Sequence, residues 1–149
     1  MLKNLDPLLH ADLLHALRAM GHGDDLVLCD SNFPADGSAR GTTLGTPLRL
    51  DGVGLARAVR TVLSVMPLDT FVDDSARRME VVGEPGTVPP VISEAQHEID
   101  QAEGKPWPIG ALERFAFYER AKKAYCIIAT GEPRFYGNLI LKKGVIPPP

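Results

Sequence analysis

Two short runs of this chain are apolar at every position: Leu26-Val27-Leu28-Cys29 and Cys126-Ile127-Ile128-Ala129. A strand with one wet face alternates apolar and polar residues. A strand without that alternation is covered on both faces, as in sheets flanked by helices. The two runs therefore predict inner strands of a covered sheet. Around them the apolar spacing becomes helical. Leu13, Leu14, Leu17 and Met20 form one stripe over His10 to Met20, and Leu55, Val59, Val62, Leu63 and Met66 form another over Val53 to Met66. Gly21 is expected to close the first helix as a left-handed cap, Asp51 to cap the second, and Pro67 to end it.

The remaining pattern supplies further elements. Leu44 to Leu50, Arg77 to Val82, Tyr125 to Thr130 and Leu139 to Leu141 are predicted strands. Ser93 to Glu103 is a predicted helix with Ser93 as its cap and Gly104 beyond its end, and Glu113 to Lys123 is another. Ser31 to Ser38 has loop composition. Buried strands that alternate with helices give an α/β fold with helices on both faces of the sheet. The 149 residues suit one domain, 1–149, and a domain of that length buries enough surface to fold without metal or disulfide. Cys29 and Cys126 lie inside the apolar runs and are expected as buried free thiols.

Several function classes lack support. The net charge is −3, from 16 basic and 19 acidic residues, with no basic run, so no nucleic-acid partner is expected. No apolar stretch approaches the roughly 18 residues of a membrane span, and the N-terminus does not read as a signal peptide; the expected compartment is the cytoplasm. Gly52-Val53-Gly54 begins like a dinucleotide loop, but Arg57 stands where the third glycine is needed. No Gly-x-Ser-x-Gly elbow and no phosphate loop occur. His10 and His15 are five apart, off a common helix face, and His97 lies on a polar helix face. Asp24-Asp25 and Asp73-Asp74 read as exposed turns.

His22 differs from the other histidines. It sits between Gly21 and Gly23, after a helix and before a buried strand. Imidazole is the side chain best suited to exchanging protons near neutral pH. Asp30 follows eight residues later, just past the strand, where ligands of α/β sheets bind. On residues alone two readings stand: an acid–base pair, or an exposed histidine and a capping aspartate.

Longer motifs separate them. Met20-Gly21-His22-Gly23-Asp24 and Asp30-Ser31-Asn32-Phe33-Pro34-Ala35 are followed by Arg114-Phe115-Ala116-Phe117-Tyr118-Glu119-Arg120-Ala121. Thr130-Gly131-Glu132, Tyr136-Gly137-Asn138 and Leu141-Lys142-Lys143-Gly144 then appear in order. From Leu5 to Val145 the chain resembles the RbsD/FucU family, most closely its fucose mutarotase branch, and matches weakly over Asp73 to Pro108. The resemblance implies a three-layer α/β/α domain with a largely parallel or mixed sheet. It implies His22 as catalytic acid. It implies sugar contacts at Asp30, Asp69, Arg114, Tyr136, Gly137 and Asn138. It also implies a homo-oligomer, commonly a decamer, whose sites are completed by a neighbouring copy. Some fucose-type relatives carry His where this chain has Asn32, which bears on the choice of sugar.

The implied reaction exchanges the α and β anomers of a monosaccharide, L-fucose first among them, by opening and reclosing the ring. Proton transfer suffices for this chemistry, so neither a metal nor a cofactor is expected. His22 would exchange a proton with the sugar, with Asp30 orienting it or the substrate and Tyr136 relaying a second proton. Phe33 and Tyr118 would line the apolar face of the ring. A ribose pyranase and a non-catalytic monosaccharide-binding module are the alternatives.

Overall fold

A computed structural model describes residues 1–149. In chain order the elements are α1 (Ala11–Ala19), β1 (Asp25–Cys29), α2 (Ala35–Ala39), β2 (Leu48–Leu50), α3 (Leu55–Leu63), β3 (Ala76–Met79), α4 (Pro90–Glu103), β4 (Gly110–Leu112), α5 (Arg114–Lys122), β5 (Cys126–Thr130) and β6 (Leu139–Lys142). The six strands form one sheet in the order β2-β5-β1-β6-β3-β4. β1 runs parallel to β5 with Leu26 opposite Cys126. β6 is antiparallel to both of its neighbours, β1 and β3. The sheet is therefore mixed, and both apolar runs lie inside it.

The unbroken apolar runs follow from the two layers they serve. Leu26 and Leu28, with Cys126, Ile128, Leu139 and Leu141, face a core built with α1, α3 and α4. Val27, Cys29, Ile127, Ala129 and Ile140 face a smaller core with Phe33, Phe117 and Ala121 from the α2 and α5 side. Alternate residues of one strand feed opposite layers. The architecture is the expected three-layer α/β/α fold. Both cysteines are buried free thiols, and burial pushes the Cys126 thiol up to about 12.

Local differences from the sequence reading have physical causes. Gly21 does not cap α1: Met20 turns the chain with extended geometry, Asp24 accepts the Gly21 N–H, and Gly23 is the residue at positive φ. Asp51 does not cap α3, since it pairs with Arg49 on the surface. Its helix starts later, at Leu55, behind Gly54. α4 begins at Pro90, which suits the first helical position because that N–H would lack a partner anyway, so Ser93 lies within the first turn. Gly104 does end that helix in the left-handed conformation. α2 falls where the composition predicts a loop; burial of Ser38 and Ala39 outweighs the poor helix propensity of Asp36-Gly37-Ser38. β4 escaped prediction because three residues carry no periodicity.

The paired acids are not simple exposed turns. Asp25 opens β1 and accepts from Arg120 and Lys142, and Asp74 accepts from the same arginine. His10 lies at the surface but also caps α1, its Nδ1 accepting the Leu13 N–H.

Candidate active site

The implied site residues fall into two groups at opposite ends of β1. One group surrounds Asp30, the first residue past the strand. Asp30 is buried. Its N–H donates to Asn138 Oδ1 at 3.0 Å, its Oδ1 accepts the Asn32 N–H at 2.9 Å, and its Oδ2 accepts the Gly137 N–H at 3.1 Å. The turn from Asp30 to Asn32 is the kind an aspartate makes by bonding the backbone two residues on. Burial pushes the Asp30 carboxyl above its ordinary value, against the pull of these N–H donors.

Asn138 is the residue immediately before β6, and Tyr136 lies in the same loop. Tyr136 adopts φ 61°, a left-handed conformation uncommon for a bulky residue, which marks a constrained position. Its hydroxyl oxygen accepts the Val82 N–H at 3.2 Å, leaving its own proton free to be donated. Arg114 begins α5, where a cation meets the positive end of the helix dipole. It lies over the Tyr118 ring at 5.6 Å and donates to that hydroxyl at 3.4 Å.

Between these residues lies an open cavity of about 250 Å³ lined by Asp30, Asn32, Phe33, Met79, Arg114, Tyr118, Phe135, Tyr136 and Asn138. That is below the usual ~300–1,000 Å³ of ligand pockets, so it admits only a small molecule. A lining that combines the aromatic Phe33, Tyr118, Phe135 and Tyr136 with the polar Asp30, Asn138 and Arg114 suits a ring with an apolar face and several hydroxyls. Met79 and Phe135 escaped the sequence reading. Phe135 had a signal, a large aromatic in a Gly-Glu-Pro turn segment, and it is 73% exposed at the cavity rim.

The second group surrounds His22, in the loop before β1. His22 Nε2 lies 3.1 Å from Asp69 Oδ1, which also accepts the Phe71 N–H at 3.0 Å. Asp69 is buried, and its own N–H is bonded to the carbonyl of Lys142 at the end of β6. The Phe71 N–H, with help from His22, holds its carboxyl below the usual range. An ionised carboxylate only accepts hydrogen bonds, so His22 Nε2 carries the proton. The Nδ1 atom has no partner within the chain and belongs to a side chain that is 45% exposed. The Phe71 ring packs 5.4 Å from the imidazole and is itself 71% exposed.

These positions change two assignments. Five strand residues at about 3.3 Å each separate His22 from Asp30 by roughly 16 Å within one chain. Asp30 therefore does not orient His22 of the same copy; Asp69 does. Asp69 lies with His22 and outside the cavity that Asp30 lines. Tyr118, Arg114, Tyr136, Gly137 and Asn138 do converge on Asp30.

Residues 3–146 match the model of the RbsD / FucU transport protein family. The fucose mutarotase of Bos taurus is 46% identical to this chain, covering 99% of it and 96% of the relative. The structure of protein Atu2016 superposes with a TM-score of 0.96 at 61% identity, over 99% of this chain and 97% of that one. The fucose mutarotase of Streptococcus pneumoniae, solved in complex with L-fucose, gives a TM-score of 0.86 at 40% identity, over 98% and 100% of the two chains. With the two residue groups and the mixed sheet in place, the chain belongs to the RbsD/FucU family.

Proposed function

We propose that this protein is a sugar mutarotase, an isomerase that interconverts the α and β anomers of L-fucose. The observation that carries the reading is the small cavity at Asp30, lined by aromatic rings together with Asp30, Asn138 and Arg114. The fucose-bound Streptococcus relative, at 40% identity, supports the choice of sugar.

Opening the ring breaks the bond from the anomeric carbon to the ring oxygen. The ring oxygen gains a proton, the anomeric hydroxyl loses one, and a carbonyl forms. Rotation about the adjacent carbon–carbon bond and reclosure deliver the other anomer. Electrons and protons balance with no external reductant or oxidant. His22 exchanges one proton through Nδ1 while Asp69 holds its ring. Tyr136 exchanges the other through its hydroxyl, and Asp30, Asn138 and Arg114 hold hydroxyls. Proton transfer of this kind is worth about 10²–10⁴-fold in rate.

The two groups work together across copies. His22 of one copy reaches the Asp30 cavity of the next in a closed ring, with a decamer the expected count. Phe71 beside His22 and Phe135 beside the cavity are the exposed apolar residues such a contact covers. The ring works in the cytoplasm, which keeps its two thiols reduced; no helix is long and apolar enough to cross a membrane.

The test is anomer exchange on L-fucose and D-ribose, followed by NMR saturation transfer. Faster exchange on L-fucose than on D-ribose is expected, and His22→Ala should slow it by about 10²–10⁴-fold. Binding of L-fucose with no acceleration of exchange would reduce the protein to a sugar-binding module.

A further inference from the structure

The segment Thr130-Gly131-Glu132 has no role in the reaction as described, yet Glu132 is 1% exposed. Burying an ionised carboxylate is costly unless its oxygens are met on every side. Here they are. Oε2 accepts the Leu55 N–H at the start of α3 at 3.1 Å, from 77 positions away in sequence. Oε1 accepts the Arg134 backbone N–H at 3.1 Å and its Nε at 2.7 Å. Arg134 continues outward to a two-pronged pair with Glu94 on α4. The guanidinium keeps the Glu132 carboxyl below its ordinary range.

A carboxylate needed only to cap α3 would have a simpler place. Ser, Thr, Asp or Asn at position 54 would cap the helix locally, but Gly54 stands there with no side-chain cap. What Glu132 adds is contact with the sugar-binding segment. A Cβ on Gly137 would lie 3.0 Å from Glu132 Cγ and 3.4 Å from Asp30 Cβ. Both acidic side chains thus pack close against Gly137, where a side chain would have no room. Asp30 also accepts its N–H. The main chain of Glu132 joins the same unit: its carbonyl accepts the Ser31 N–H at 2.9 Å, beside Asp30. Thr130 Oγ accepts the Glu132 N–H and donates to the Cys29 carbonyl, tying the ends of β1 and β5.

We infer that Glu132 is a positioning residue of the sugar site: by bracing Gly137 against Asp30 it holds Tyr136, Gly137 and Asn138 at the cavity. The sugar arm of its test rests on the mutarotase reading; the amide arm does not.

The full-length protein is compared with Glu132→Ala, Glu132→Gln and Glu94→Ala, the last breaking only the outer pair. Hydrogen–deuterium exchange is followed at the Gly137 amide relative to the Val27 and Ile127 amides, and L-fucose affinity by calorimetry. In Glu132→Ala, Gly137 should exchange about tenfold faster relative to those strand amides, and fucose should bind about tenfold more weakly. Glu132→Gln keeps the side-chain shape and should recover most of both. Glu94→Ala should match wild type. A Glu132→Ala protein with a lower melting temperature but unchanged Gly137 protection and fucose affinity would make Glu132 a helix cap and nothing more. Should that variant fail to fold, Glu132→Asp, which draws the side chain back from Gly137 by one methylene, takes its place, and unchanged Gly137 exchange and fucose affinity in it overturn the inference. If the wild-type protein binds no L-fucose, the sugar reading fails while Gly137 exchange still decides the role of Glu132.

Discussion

The two ends of β1 each hold a buried aspartate, and the two carboxylates are used in opposite ways. At the leading end Asp69 turns its carboxylate to a histidine and one backbone N–H, which favour the charged form. At the trailing end burial outweighs the N–H donors around Asp30 and disfavours charge. One end is arranged to hold an imidazole in a single tautomer. The other keeps a carboxylate partly starved of water, so that a ligand hydroxyl is welcome there. The imidazole and the buried carboxylate of the cavity are thus separated by the length of a strand.

The widest separation should come from single variants. Asp30→Ala should weaken L-fucose binding about a hundredfold, because it removes a charged hydrogen-bond acceptor from the cavity. His22→Ala should slow anomer exchange by about 10²–10⁴-fold while leaving fucose affinity nearly unchanged. Calorimetry and saturation transfer on the same samples check both, and equal loss of affinity in the two variants would erase the division of labour. Co-expressing the two inactive variants sharpens the point. Mixed assemblies contain cavities with an intact Asp30 facing an intact His22, so part of the exchange rate should return. No recovery in verified mixed assemblies means that the two ends never share a site.

Asp69→Asn should have a smaller effect, about tenfold on the exchange rate with fucose affinity retained, since it unsettles the ring and not the sugar. A fall in affinity instead would return Asp69 to the list of direct sugar contacts. Stability should then respond to pH with opposite signs at the two ends. Asp69, with its pKa lowered on folding, contributes stability above its unfolded value of about 3.9 and loses it as pH falls below that. Asp30, with its pKa raised, contributes below about 3.9 and loses that contribution as pH rises through its folded value. Urea midpoints from about pH 3 to 7 should show the gap between wild type and Asp69→Asn closing toward acid. The gap between wild type and Asp30→Asn should shift in wild type's favour toward acid. The least effect belongs to Phe71→Ala, which should change folding stability by no more than about 0.5 kcal/mol because the ring is exposed, yet weaken self-association measured by sedimentation.

What could be read from the chain, and what could not, divides along physical lines. The inner strands and the α1 and α3 stripes were readable because burial imposes a period, and the period survives in the residue order. The Asp30 group was mostly readable through its motifs. The partner of His22 was not: Asp69 lies 47 positions away, and the hydrogen bond between them depends on where the end of β6 sets the chain down. The capping of α3 by Glu132 was hidden for the same reason, and Asp51, the local candidate, was drawn to Arg49. α2 was missed because its stability comes from what it covers and not from its own residues.

β1 feeds alternate residues to two different cores, and this sets a rule for inheritance. Adding or deleting one residue between His22 and Asp30 would send Val27 toward the layer shaped for Leu28 and exchange the two linings throughout the strand. Loops such as the one between β3 and α4 meet no such demand. Among descendants of this chain, insertions should collect in those loops while the count from His22 to Asp30 stays constant, a spacing preserved by the cores even where neither residue is under selection itself.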